Sequence, residues 1–256
     1  MIMDFPSNLQ QSLHRLLLNS SSQRDLGLYH GKMGLILFFA HYFRLTKNPV
    51  FDDTANELME ELLSEIHNGL PVGLASGSAG VGWGMEYLIQ NGFVDGDSLD
   101  ICEEVDKKIM EKDPRRITDY SIETGLGGIL HYVLAHIKGV VTQHSKMPFD
   151  ETYLNDLEQA LSNIPKNTEL PEEFKELSAK YLDFYRNRNE LDYSLSLSFI
   201  IDDLETENLR KSAPSASSAF QHNLGLNKGL SGLLLKELFA KNEDKKTEDK
   251  RQKTKD

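Results

Sequence analysis

His30, Glu86 and Glu123 are the side chains whose type and setting suit proton transfer. Histidine titrates at about 6.5, near working pH, which suits an acid–base group. Glu86 sits in the apolar run Gly80-Val81-Gly82-Trp83-Gly84-Met85-Glu86-Tyr87-Leu88, where a carboxylate must be paired, solvated in a cavity or protonated. Glu86 and Glu123 together are candidates for paired-carboxylate chemistry. The competing readings are structural: His30 bonded into a turn, Glu86 paired with a helix terminus, Glu123 complementing a helix dipole. Lys32, Ser76, Trp83, Asn227 and Lys228 are candidates for holding a peptide or other ligand beside them, and Ser78 is expected near the same mouth. His131 and His136, five residues apart, share a helical face poorly and read as core or surface histidines. Asp202-Asp203-Leu204-Glu205 reads as a solvated helix face. The single cysteine, Cys102, excludes an intramolecular disulfide and any zinc site needing two cysteines from this chain. No metal or cofactor is expected on these grounds, and no phosphate loop or nucleophile elbow is present.

The candidates cluster because they lie on a repeat. Gly27-Leu28-Tyr29-His30-Gly31-Lys32-Met33-Gly34 precedes one apolar segment, and Gly73-Leu74-Ala75-Ser76-Gly77-Ser78-Ala79-Gly80 precedes another. Ser121-Ile122-Glu123-Thr124-Gly125-Leu126-Gly127-Gly128 keeps the last two glycines, and Gly225-Leu226-Asn227-Lys228-Gly229-Leu230-Ser231-Gly232 restores all three. The motifs begin at residues 27, 73, 121 and 225, so one unit without the motif is expected between the last two. The glycines suit a tight turn with positive φ and close backbone approach. Inner helices that begin at such turns would bring free N–H groups to one mouth, a setting that favours an anion.

Two kinds of helix alternate around these motifs. Residues 53–66 place Ala55, Leu58, Met59, Leu62, Leu63 and Ile66 on one face, and Asn68-Gly69 supplies a stop. Residues 98–111 repeat the plan with Ile101, Cys102, Val105 and Ile109. The segments after each motif are apolar nearly all round, as in Leu35–Phe39, and must be buried on most sides. Residues 151–163 and 172–187 are helical by spacing, with Pro171 at a helix start. Residues 193–199 alternate with period two, but a helix beginning near there suits the context better. Residues 212–218 read as a loop, and residues 241–256 as a disordered charged tail following a domain of residues 1–240.

The repeat with its buried helices resembles the lanthionine synthetase C-like (LanC-like) family. The resemblance is strongest over residues 27–137. It implies an α/α toroid and an activity in peptide modification. The family's cyclases add a peptide cysteine across a dehydrated serine or threonine, using zinc held by two cysteines and a histidine. The nearest match to those metal loops is Tyr29-His30-Gly31, with tyrosine at the cysteine position, so the two-cysteine ligand set is absent here.

The expected fold is therefore all-α: an α/α toroid, or an incomplete arc, of about five helical hairpins. The resemblance implies a LanC-like protein of peptide modification, a cyclase relative with a peptide substrate or maturation partner. The alternatives are a non-enzymatic peptide-binding scaffold and a zinc-independent hydrolase or lyase using Glu86 and Glu123. A net charge of −12 without a clustered basic patch argues against nucleic acid. The most apolar stretch, Gly34–Phe43, is shorter than the about 20 residues that span a bilayer, and no signal peptide is visible, so a cytoplasmic protein is expected.

Overall fold

The computed structural model describes residues 7–66, 69–144, 146–187, 189–201 and 223–240. Every regular element among them is helical. In chain order they are α1 (Ser7–Asn19), α2 (Lys32–Thr46), α3 (Pro49–Glu65), α4 (Ser78–Gln90), α5 (Ser98–Met110), α6 (Leu126–Gln143), α7 (Glu151–Ser162), α8 (Glu172–Asn187), α9 (Ser198–Ile201) and α10 (230–240). Residues 202–205, 212–218 and 241–256, Asn68 of the stop signal and the first six residues lie outside the described residues. No described helix is long and apolar enough to cross a membrane.

The chain forms two compact units. One combines residues up to Arg24 with His30–Leu63 and the residues from Leu197 onward. Its inner helix α2 buries every residue from Lys32 to Phe39. Its outer helix α3 buries Phe51, Ala55, Leu58 and Leu62, a stripe at helical spacing, and leaves Leu63 52% exposed. The apolar face is thus narrower than residues 53–66 suggest, because an outer helix meets the core along one line only. Phe51 stacks on Phe39 and meets Tyr42 edge-on, joining the two helices.

The second unit comprises Asp25–Tyr29 and Ser64–Ser196. Helix α4 is buried from Ser78 to Ile89 and packs against both α5 and α6. Helix α6 is equally enclosed along its first three turns. Outer helix α5 buries Cys102, Val105, Asp106 and Ile109, while Ile101 is exposed. Asp97 and Asp150 start α5 and α7 by accepting from the amides of Leu99 and Tyr153. The carbonyl of Pro171 accepts the first bond of α8, from Lys175. Residues 189–196 have no regular structure; Leu191 and Tyr193 are buried and Asp192 exposed, and the amide of Tyr193 donates to the Leu191 carbonyl across a tight turn. The period-two pattern there is real, but it has no strand partner, and helix begins only at Ser198.

Candidate functional site

The loops of the glycine motifs at Tyr29, Ala75 and Glu123 stack on one another. The amide of Tyr29 donates to the carbonyl of Ala75, and the amide of Ala75 donates to the carbonyl of Glu123, each at 2.9 Å. These are equivalent positions in successive repeats, so one bond is copied along the stack. Gly73 lets the loops approach: a Cβ there would lie 2.8 Å from the Glu123 carbonyl oxygen. Gly80 lets α4 fold back on its own loop, since a methyl group would collide with the carbonyl of Leu74. Close approach, rather than positive φ, is what these motif glycines provide; among the described residues the one glycine with positive φ is Gly92.

The loops also cap the helices that follow. The amides of Ser78 and Ala79 donate to Pro71 and Val72, that of Leu126 to Asp119, and those of Leu230, Ser231 and Gly232 to Asn223, Leu224 and Gly225. At α4, α6 and α10 these first-turn N–H groups, expected to face an anion, are instead engaged by loop carbonyls.

The sequence-derived candidates fall into different settings. His30 is exposed, and its carbonyl accepts from the Gln23 side chain at 2.6 Å. Lys32 is buried and pairs with Glu61 of α3 at 2.9 Å, tying inner to outer helix. Ser78 is buried at the start of α4, where its hydroxyl contacts the Pro71 carbonyl. Asn227 is half-buried and Lys228 exposed in a left-handed turn; both carbonyls accept from the Asn223 side chain. Ser76 is half-buried and Glu123 exposed, both on the loop stack.

Trp83 is fully buried and starts a relay that spacing alone did not disclose. Its Nε1 donates to the Tyr193 hydroxyl at 2.8 Å. That hydroxyl meets His131 Nδ1 at 2.9 Å, and His131 Nε2 meets Glu173 at 2.9 Å. With a neutral imidazole every donor finds an acceptor: indole to phenol, phenol to Nδ1, Nε2–H to carboxylate. Glu173 is 37% exposed, so the chain of bonds leads from the core to solvent. Burial, then the nearby charges of Glu123 and Glu173, raises the Tyr29 phenol well above the usual range.

Glu86 is the centre of a separate cluster, buried apart from the exposed Gln90 at its rim. His136 Nδ1 bonds Glu86 Oε1 at 2.7 Å, and His136 Nε2 bonds Asp106 Oδ2 at 2.9 Å. Tyr132 donates to Asp106 Oδ1 at 2.6 Å, Gln90 donates to Glu86 Oε2 at 2.6 Å, and the Cys102 thiol meets Glu86 Oε1 at 3.8 Å. Burial alone would lower the His136 pKa, but its bonds to Asp106 and Glu86 outweigh that and lift it to about 9. Burial raises Asp106, against the pull of His136. Burial and the charges of Glu86 and Asp106 push the Cys102 thiol up.

Glu86 and Glu123 are not brought together. Glu123 precedes α6, whereas Glu86 meets that helix at His136, about 15 Å further along at 1.5 Å per residue. His131 and His136 both point into polar settings, but into different ones. Their partners come from α4, α5, α8 and the segment around Tyr193, at separations no local pattern encodes.

The lanthionine synthetase C-like family model matches residues 22–189. The chain belongs to this family. No curated protein and no solved structure matches it. The zinc that the LanC-like resemblance implies needs two thiolates and an imidazole. The loop stack offers instead a buried tyrosine at position 29, the exposed His30 and the carboxylate of Glu123, while Cys102 lies within α5. That ligand set does not fit the loops of this LanC-like chain.

Proposed function

We propose that this LanC-like chain works in peptide modification by holding a peptide beside its glycine loops, without zinc–thiolate cyclisation there. The observation that carries this reading is a cleft of about 410 Å³ in the second unit. Pro71, Val72 and Ser76 of the loop line it, with Thr124 of the next loop and Lys108 and Lys112 of the α5 end. Apolar loop edges, two hydroxyls and two cations four residues apart suit an extended peptide carrying acidic side chains.

Fluorescence anisotropy with labelled acidic and neutral peptides tests it. The acidic peptide is expected to bind more tightly, with affinity falling as salt rises and by roughly tenfold in Lys108→Glu/Lys112→Glu. Equal binding of both peptides, indifferent to the charge reversal, would overturn the cleft assignment. A peptide with one cysteine and one dehydroalanine tests the chemistry: its free thiol is expected to persist. Loss of the thiol at unchanged mass would show that the chain cyclises by itself.

A further inference from the structure

Glu86 of α4, Cys102 of α5 and His136 of α6 place a carboxylate oxygen, a thiol sulfur and an imidazole nitrogen within 4.8 Å of one another. All three side chains are buried. We propose that this cluster is a site for a divalent metal of the zinc class. Its ligands are Glu86, Cys102 Sγ and His136 Nδ1, and Asp106 is the residue that positions the imidazole. The site lies away from the glycine loops, and the inference stands independently of the peptide reading.

The outer arrangement is that of a metal-bound histidine. A ligating imidazole usually donates its second N–H to a carboxylate, which fixes ring orientation and tautomer. His136 Nε2 bonds Asp106 Oδ2, and Tyr132 holds the other Asp106 oxygen. The Tyr132 ring also stacks on the imidazole at 5.5 Å. Nδ1 is thereby directed at Glu86 and Cys102.

The charge balance permits the exchange. With both ring nitrogens of His136 facing carboxylate oxygens, the metal-free cluster counts as two carboxylates, one imidazolium and one thiol, a net charge of −1. Binding M²⁺ forms bonds from the metal to Nδ1, Sγ and Oε1, and releases the Nδ1 and Sγ protons to solvent. Two carboxylates, a thiolate and the dication again sum to −1. The core therefore takes up the ion without a change in buried charge, which would otherwise be costly.

The geometry needs only side-chain adjustment. Ligand atoms around a tetrahedral zinc lie roughly 3.3–3.7 Å apart, given bonds of about 2.0–2.3 Å. Here Oε1 lies 2.7 Å from Nδ1 and 3.8 Å from Sγ, so one spacing opens and the other closes by fractions of an ångström. The second Glu86 oxygen, at present bonded by Gln90, can bind as the other arm of a bidentate carboxylate, so the tetrahedron is a distorted one.

The test is to express the full chain in zinc-depleted medium supplied with cobalt, so that metal is present as the core forms. One cobalt per chain is expected, with the visible bands of tetrahedral Co²⁺ and a near-ultraviolet thiolate-to-cobalt band. Cys102→Ala, or Cys102→Ser should alanine fail to fold, is expected to lose the charge-transfer band and at least about tenfold in affinity. His30→Ala is expected to keep both. Release of two protons predicts that affinity drops about 100-fold for each unit of pH lowered between neutrality and mild acid. Purification without cobalt, an octahedral spectrum, or a charge-transfer band that survives loss of Cys102 would each overturn the proposal.

Discussion

Gly139 of α6 faces Glu86 of α4 so closely that a methyl group in its place would collide with the carboxylate. The glycine sits in the middle of a helix, where it costs about 1 kcal/mol relative to alanine. It makes room for the acid that binds His136 and for Gln90, which also reaches the Ala135 carbonyl. Gly139→Ala is therefore expected to lower stability by about 2–4 kcal/mol despite its better helix propensity. Urea unfolding measures this directly, and a neutral or stabilising result would mean that Glu86 is free to move.

Trp83 is the sole tryptophan, so its fluorescence reports on the relay. Tyr193→Phe removes the acceptor for the indole N–H and the partner of His131 Nδ1 while keeping the ring. Stability is expected to fall by about 1–3 kcal/mol, the cost of leaving buried polar groups unsatisfied. The emission maximum is expected to move to shorter wavelength as the indole loses its bond. Unchanged emission would show that the Trp83–Tyr193 bond does not persist in solution.

The inner and outer helices were legible in the sequence because burial writes itself into periodicity. Leu35–Phe39 reads as enclosed and is, and Ala55, Leu58 and Leu62 read as one face and are. The loops were legible as glycine motifs, but their purpose was not. Whether Gly80 serves a positive φ or a close approach depends on the Leu74 carbonyl folding back over α4, which no pattern records. The polar clusters were hidden for a related reason. His136 and Asp106 are 30 residues apart and His131 and Tyr193 are 62 apart. The five-residue spacing of the two histidines correctly separates them, yet says nothing of what each meets. One local clue existed: an acid at position 86 amid apolar neighbours requires a buried partner.

The loop stack gives a steric prediction. Gly80→Ala puts a methyl group against the Leu74 carbonyl, which is backbone and cannot turn aside. A loss of about 2–4 kcal/mol is expected, far above the gain of about 1 kcal/mol from helix propensity. Amide hydrogen exchange should show faster exchange at Ser78 and Ala79, whose N–H groups depend on the same loop. Protection that survives the substitution would show that the loop caps α4 without needing the close contact.

The first unit carries a pH dependence of definite sign. Burial, aided by the charge of Arg44, lowers His41 to about 4, and its ring meets Phe239 edge-on at 5.0 Å. A histidine kept neutral in the folded state has a depressed pKa, so its contribution is fully present above its unfolded value of about 6.5. As pH falls below that value the unfolded chain binds a proton that the folded chain refuses. Stability is therefore lost progressively between about pH 6.5 and 4, by about 3 kcal/mol in total. His41→Phe, which keeps an apolar ring beside Phe239, is expected to flatten this slope while leaving the neutral-pH value within about 1 kcal/mol. Unfolding by urea, followed by circular dichroism at several pH values, distinguishes the cases. An unchanged slope in the variant would assign the acid sensitivity to groups other than His41.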